Sequence, residues 1–357
     1  MNAPFLHGIS QTILDPGNPG DAAWIEAFVA AHPDGTPFHR PAWLNAVARG
    51  SGNRALVLAA VRGPSLSAIL PLLEVRSRLF GNALVSSGFG VGGGILAQED
   101  GDCAGLIALA EDLARQRDCS AIELRGGSLP ALRAGWTVRA DRHCGYAADL
   151  ADDDEAQLAR VPRKQRAEVR KGLQAKLKVS VGSAARDRAA HYAVYAESLR
   201  NLGTPVFPKR LFAEVLDAFG DAADILTVWQ DDRPVASVLS LYHQGTVMPY
   251  WGGGTRAARA LRANDRMYFE LMCHARRRGC TRFDFGRSKV NSGAAAYKKS
   301  WGFAGVPLAY ASWTAPGAKP RDADPTSQRH AAKIAMWRRL PLPVAKVLGP
   351  LIARGLA

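Results

Sequence analysis

The chain runs twice through one pattern. Gly92-Gly-Gly94, a helical stretch and Arg117-Asp-Cys-Ser-Ala-Ile-Glu-Leu-Arg-Gly126 recur, at a nearly constant offset, as Gly252-Gly-Gly254, a helical stretch and Arg278-Gly-Cys-Thr-Arg-Phe-Asp-Phe-Gly286. Self-similarity at about half the chain length implies tandem copies of one module, because solenoid repeats have far shorter periods.

Hydrophobic periodicity gives each copy the same order. In the first, residues 55–61 and 66–75 are β-rich around Arg62-Gly-Pro-Ser65 and read as a hairpin. A strand over 83–87 runs into Gly88-Phe-Gly-Val-Gly-Gly-Gly94, followed by a helix over 104–116 and a strand over 121–124. In the second, strands over 226–230, 235–242 and 246–251 turn at Asp231–Pro234 and His243–Gly245. An amphipathic helix over 264–278 and a strand through Phe283 follow. Further helices are expected over 21–31, with Asp21 as N-cap, and over 42–47. The class is therefore α/β or α+β, each copy a mixed central sheet flanked by helices. The expected division is 1–150 for the first domain, 151–315 for the second, including a basic helix over 158–178, and 316–357 for a basic C-terminal tail.

Chemistry-bearing residues concentrate in the second copy. The Phe283/Phe285 alternation carries Asp284, Arg287 and Ser288 to the C-terminal end of a strand, and Gly293-Ala-Ala-Ala-Tyr-Lys-Lys-Ser-Trp301 then presents Lys298, Lys299 and Trp301 on a short helical turn. Tyr250 and Trp251 end the preceding strand, either as a platform for a sugar or base or as core. Phe38 and His39 precede Trp43 in the first copy, with His39 either lining an acceptor groove or hydrogen-bonded internally.

A formal charge of +14 and a pI near 9.9 point to an anionic partner: nucleic acid, an anionic membrane surface or a phosphate-bearing substrate. Between the copies, Arg160, Arg163, Lys164, Arg170 and Lys171 share one side of a helical projection and Leu158, Val169 and Leu173 another; this is an anion-binding surface or a solvated face. Trp337-Arg-Arg-Leu-Pro341 and the leucine- and valine-rich stretch after it read either as a docked terminal helix or as a segment lying on an anionic membrane, with prolines opposing one long helix. The start lacks secretory-signal features, and no apolar run reaches the length of a membrane span, so a cytoplasmic protein is expected, peripheral at the inner membrane face only if the tail takes the second of these readings.

Other chemistries fit poorly. The five cysteines form no Cys-x-x-Cys pair, and Cys273 and His274, adjacent on a helix, point in different directions. No His, Asp or Glu cluster has metal-ligand spacing, so no metal is expected. Gly88–Gly94 runs on into Ile95 and Leu96 instead of opening a helix, which reads as a strand-end turn and not a dinucleotide loop.

Thr36-Pro-Phe-His-Arg-Pro-Ala-Trp-Leu44, Val161-Pro-Arg-Lys-Gln-Arg166, Asn264-Asp-Arg-Met-Tyr-Phe-Glu-Leu271, Phe283-Asp-Phe-Gly-Arg-Ser288, Tyr297-Lys-Lys-Ser-Trp-Gly-Phe303 and Trp337-Arg-Arg-Leu-Pro341 stand in an order that spans nearly the whole chain. In these the chain resembles the FemAB-like aminoacyl or acyl transferases of the GNAT fold group, particularly the FemAB-related proteins of exosortase and exopolysaccharide systems in Gram-negative bacteria. The resemblance implies tandem GNAT-like, acyl-CoA N-acyltransferase-like domains. It also implies amide formation by attack of an acceptor amine on an activated acyl carbonyl, as in relatives that extend peptidoglycan cross-bridges from aminoacyl-tRNA. Lys298, after Tyr297, falls where the family pattern has an aromatic-Lys pair and would stabilise charge on the tetrahedral intermediate or leaving oxygen. Asp284 would orient or deprotonate the amine, or be structural, and Arg287 would bind phosphate or carboxylate. The acyl donor is an aminoacyl-tRNA or an acyl-CoA. Where GNAT enzymes have a glycine-bearing pyrophosphate loop, this chain has Arg259-Ala-Leu-Arg-Ala-Asn264, offering Arg259, Arg262 and a helix start at Asn264. With Arg163 and Lys164 these form the expected anion and donor site. The acceptor expected is a cell-envelope or exopolysaccharide precursor. The alternatives are a CoA-dependent N-acetyltransferase on an amino sugar and a catalytically silent GNAT-fold protein that binds an anionic polymer.

Overall fold

The computed structural model describes residues 8–99, 102–129, 133–321 and 331–357. They form two units: Met1–Ala140 with Ala309–Ala323 and Arg354–Ala357, and Asp141–Leu308 with Asp324–Ala353.

The first unit contains β1 (Ile9–Leu14), α1 (Pro19–Ala31), α2 (Pro41–Ser51), β2 (Arg54–Arg62), β3 (Ser65–Val75), β4 (Ala83–Ser86), β5 (Leu96–Ala97), α3 (Cys103–Gln116) and β6 (Ala121–Arg125). Its sheet order is β1-β2-β3-β4-β6, closed by the last strand of the chain, β13 (Val306–Thr314), antiparallel to β6. β4 and β6 are parallel, and the crossover such a pair requires is α3. Leu56, Leu58, Leu70 and Leu72 pack with Leu106 and Ile107 of α3.

The second unit follows the same plan. After β7 (Trp136–Asp149) come α4 (Asp154–Arg160), α5 (Arg163–Gln174), β8 (Lys178–Gly182), α6 (Ala185–Leu202) and α7 (Lys209–Phe219). The repeat then runs β9 (Ala223–Gln230), β10 (Arg233–His243), β11 (Thr246–Gly254), α8 (Ala258–Leu261), α9 (Ala263–Arg277) and β12 (Arg282–Lys289). The chain continues through α10 (Gly293–Ser300), α11 (Ala331–Arg339) and α12 (Leu342–Ala353). The sheet order is β7-β12-β11-β10-β9-β8, with β11 and β12 parallel around α9. One face carries Leu226, Val228, Val238 and Val247 against Met267 and Leu271 of α9. On the other, Ser237 meets His191 of α6 at 3.1 Å.

Several local expectations change. The α1 N-cap is Asn18, whose side chain accepts from the Gly20 and Asp21 amides; Asp21 itself accepts from the Asp15 amide at 2.8 Å. The basic segment is two helices, because Pro162 has no amide proton for a helix interior and serves as the α5 N-cap. Residues 309–323 and 354–357 belong with the first unit, an exchange that a division at 150 and 315 lacks.

A buried carboxylate fastens the second unit at the end of the sheet opposite the C-terminal end of β12. Asp224, at the start of β9, accepts from Tyr242 Oη at 2.9 and 3.0 Å, from Arg278 Nη1 at 3.0 Å, and lies 2.9 Å from His274 Nε2. The Arg278 guanidinium also stacks on the Tyr242 ring, 3.9 Å from its centroid. Removing the carboxylate leaves a buried hydroxyl and a cation without their acceptor. Asp224→Ala should therefore lose about 3 kcal/mol of stability in urea titration, and Tyr242→Phe about 1 kcal/mol.

Candidate active site

β11 and β12 pair only at Thr246↔Arg282 and Val247↔Phe283, although β11 runs on to Gly254 and β12 to Lys289. Each strand bulges just past that pairing. On β11, Leu239 faces Trp251 and Ser240 faces Pro249, which inserts Tyr250. On β12, Asp284 faces Ala147 and Arg287 faces Gly145, so Phe285 and Gly286 together oppose one residue of β7. A bulge bends its strand and raises local twist; with one on each strand, the ends part.

The β12 bulge places Gly286 at φ +66°, in the left-handed region. Asp284 Oδ1 accepts the Gly286 amide at 2.7 Å. Lys298, from α10, sends its ammonium to the carbonyls of Phe285, Gly286 and Arg287 at 2.6, 3.1 and 2.9 Å. It lies 5.5 Å from the Tyr146 ring centroid. Three carbonyl acceptors match the three protons of an ammonium. Burial nevertheless lowers its pKa to about 8, against the pull of the Asp284 charge. Burial raises Asp284 above the usual aspartate value, opposed by the Gly286 amide and Lys298. Among the described residues, Asp284 Oδ2 carries no hydrogen bond. By strand alternation Asp284 points away from Phe283 and Phe285, which pack on Phe303.

Trp251 is 5% exposed and packs edge-on against Phe212 of α7 at 4.9 Å, so it is core and not a platform. Tyr250 is half-buried at the bulge, 5.1 Å from the Trp251 ring. Arg287 is half-buried on β12, where its carbonyl holds Lys298. Sequence reasoning missed Tyr268 of α9, whose ring meets Phe285 at 4.9 Å and whose hydroxyl lies by Gly252, so it reaches toward both parted strands. Burial pushes its phenol up to about 12.

The expected donor residues divide. Arg163 and Lys164 are exposed in the first turn of α5, and Arg259 is exposed on α8. Arg262, at the α9 N-cap, pairs with Glu168 of α5 and is not an unengaged phosphate grip. Asn264 lies against Gly254, and its Oδ1 is buried without a hydrogen-bond partner. Beside it, Asp265 Oδ1 accepts from Gln165 Nε2 at 2.6 Å and from Tyr297 Oη at 2.9 Å. That node joins the α5, α9 and α10 segments. It was unreadable in sequence because its members lie up to 132 positions apart along the chain, Gln165 to Tyr297. Burial also lifts the Cys273 thiol to about 12, which leaves no thiolate for nucleophilic chemistry.

The first unit closes the equivalent place with its own chain. Between β4 and β5 the glycine-rich loop crosses to the end of β6, where Ile95 bridges Gly127 and Ser128. A Cβ on Gly94 would stand 1.7 Å from the Gly126 carbonyl oxygen, so only glycine permits that approach. His39 is fully buried, with Nε2 3.1 Å from the Gly94 carbonyl and Nδ1 2.8 Å from Thr36 Oγ1; Phe38 packs edge-on against Trp43. Both are therefore supports of this loop, not the lining of an open groove. A cavity of about 430 Å³ lies beside the loop, lined by His32, Asp34, Gly92 and Ser128 among others.

Residues 159–299 match the model of the acetyltransferase (GNAT) domain, a span that includes the parted strands, Asp284 and Lys298. No curated protein matches the chain in sequence. Among solved structures it is similar to FemX, with 14% identity over 85% of this chain and 97% of that one and a TM-score of 0.63. It is also similar to a tandem GNAT protein from the clavulanic acid biosynthesis pathway, with 11% identity over 87% and 100% and a TM-score of 0.55. L-PGS from Bacillus licheniformis aligns at 13% identity over 96% and 98%, with a TM-score of 0.52. The doubled strand-helix-strand plan, the parted parallel strands and these likenesses together give the chain a tandem GNAT-like fold, with a GNAT domain in its second half.

Proposed function

We propose that the protein is an N-acyltransferase that joins an acyl or aminoacyl group from an anionic carrier to an amine of a cell-envelope or exopolysaccharide precursor. The observation that carries this reading is the opening between β11 and β12, with the Asp284 carboxylate and the Lys298 ammonium both fixed at its β12 side.

The chemistry would run as follows. The acceptor nitrogen attacks the acyl carbonyl, forming a C–N bond and a tetrahedral oxyanion; collapse expels a thiolate or a ribose oxygen. The nitrogen gives up one proton on the way. Asp284, whose Oδ2 carries no hydrogen bond among the described residues and whose pKa burial raises, takes that proton. Lys298 acts as a positioning residue: its protons bind main-chain oxygens, while its charge favours the developing oxyanion nearby.

Two features favour a carrier other than CoA held in the usual way. The 259–264 segment lacks glycine, and Arg262 is already paired with Glu168. Arg163 and Lys164 remain exposed for a phosphate-bearing carrier such as tRNA. Mass spectrometry of an amine acceptor incubated with acyl-CoA or with aminoacyl-tRNA separates the carriers, and transfer from CoA alone removes the tRNA version. A polymer-binding protein without catalysis predicts the opposite pattern of variants: Lys298→Ala harmless in cells, reversal of Arg163 and Lys164 abolishing function.

Asp284→Asn, which keeps an oxygen for the Gly286 amide, should lower kcat by about 10²–10⁴ with thermal stability nearly unchanged. In the native enzyme the acid limb of kcat/KM should fall at a pH above the ordinary aspartate range. Unchanged turnover in this variant would remove Asp284 from the chemistry.

For Lys298 the folded pKa of about 8 lies below the ordinary lysine value of 10.5, so between those pH values the unfolded chain binds more protons. Native stability should therefore rise with pH across that window, with the penalty of the buried charge fully present below it. Urea midpoints over this range should show the rise in the native protein and its loss in Lys298→Met.

A further inference from the structure

Helix α12 is built inside out for a surface helix. Its inward positions are Ala345, Gly349 and Ala353, all buried. A Cβ added at Gly349 would stand 2.9 Å from the backbone of Val206, so the helix is seated closely on the body of its unit. Its large apolar residues point the other way: Val344, Val347, Leu348 and Leu351 are 40, 68, 41 and 61% exposed. Their spacing of three, one and three residues puts them on one stripe. A helix that docks for stability turns its large side chains inward; this one docks through small residues and displays the large ones.

The segment that carries the stripe has charge of one sign. Residues 331–357 contain Lys333, Arg338, Arg339, Lys346 and Arg354 and no acidic residue. Lys333, Arg338, Arg339 and Arg354 are exposed. On neighbouring α11, Met336 is 61% exposed, and Arg338 Nη2 donates to the Leu202 carbonyl at 3.3 Å, next to a leucine side chain that is itself 60% exposed. Exposed apolar groups on a segment whose only charges are cations match the layered chemistry of an anionic bilayer surface: acyl chains below and phosphates at the rim. A protein partner or a second copy would need acidic residues to answer these cations, and the patch itself supplies none.

We infer that the outward face of α11 and α12 is a docking surface for anionic lipid membranes, with Val347 and Leu351 entering the acyl boundary and Arg338 and Arg339 at the phosphates. Among the described residues no helix is long and apolar enough to cross a membrane, so the attachment is peripheral and reversible. The inference gives the proposed transferase a location beside a lipid-linked acceptor, yet it is read without any donor or turnover, so either can fail alone.

The test is co-sedimentation of the full chain with phosphatidylcholine vesicles, with and without phosphatidylglycerol, alongside light scattering. The native protein should bind the anionic vesicles and release them as salt rises. Val347→Glu with Leu351→Glu should weaken binding at least about tenfold, since burying two such side chains is worth more than 1.4 kcal/mol. Arg338→Glu with Arg339→Glu should weaken it on anionic vesicles only. Because the four positions are exposed, both variants should keep the native melting temperature, which rules out loss through misfolding. Absence of binding by the native chain, binding that the apolar pair does not weaken, or self-association that the apolar pair abolishes without vesicle binding would each overturn the assignment.

Discussion

The second unit depends on one extra residue in β12. A bulge interrupts the ladder that satisfies a buried backbone, and each amide or carbonyl it strands must find another partner or cost free energy comparable to a lost hydrogen bond. Asp284 takes the amide of Gly286, and Lys298 takes the three carbonyls from Phe285 to Arg287. These two charged side chains make the distortion tolerable. The distortion in turn, with that at Tyr250, turns β12 away from β11 and opens the strand ends. An acid and a base thus hold the bulge beside the parted strand ends, which explains why a lysine sits where burial opposes its charge.

The first unit shows what the same plan becomes without that device. β4 and β6 pair in parallel for three residues, and beyond them the glycine loop reaches across to the end of β6. Glu123 and Arg125 occupy the strand positions of Asp284 and Gly286 in the repeat, but they are turned to structure. Burial and the Arg125 and Arg321 guanidinium groups compete over Glu123, the ion pairs prevail, and its carboxyl stays below the usual range. Arg125 also reaches the Ala357 carbonyl. The strand end is a property of the fold; what differs is which partners its polar groups answer.

Much of this was legible in sequence where the signal is local. The hairpins, the helix between parallel strands and the doubling follow from period and turn chemistry, and the fold class followed from them. β7 and β13 were not legible, because each finds its partner far along the chain and β7 reads as a largely exposed, polar strand. Trp251 and Phe38 were ambiguous for a simple reason: an aromatic at a strand or helix end has the same letters whether it faces a ligand or Phe212 and Trp43. Asp284 and Lys298 were picked out as charged residues near a strand end, but their joint hold on the bulge was hidden. The one local clue was Asp284-Phe-Gly286, since an aspartate two residues before a glycine in left-handed conformation is a turn-forming pattern.

The positive charge also resolves into parts that composition cannot separate. Arg262 answers Glu168, Arg278 answers Asp224, and Arg125 with Arg321 answers Glu123, so these cations contribute little field beyond the protein. Exposed cations remain at many places, among them the start of α5, α8, and the surface of α11 and α12. The α5 start is the surface proposed for a carrier, and α11 with α12 the one proposed for a membrane. Both encounters would weaken as salt screens them, but only the helical surface has an apolar stripe whose contribution survives the salt. Salt dependence alone therefore distinguishes the two surfaces by how much binding remains when the electrostatic part is gone.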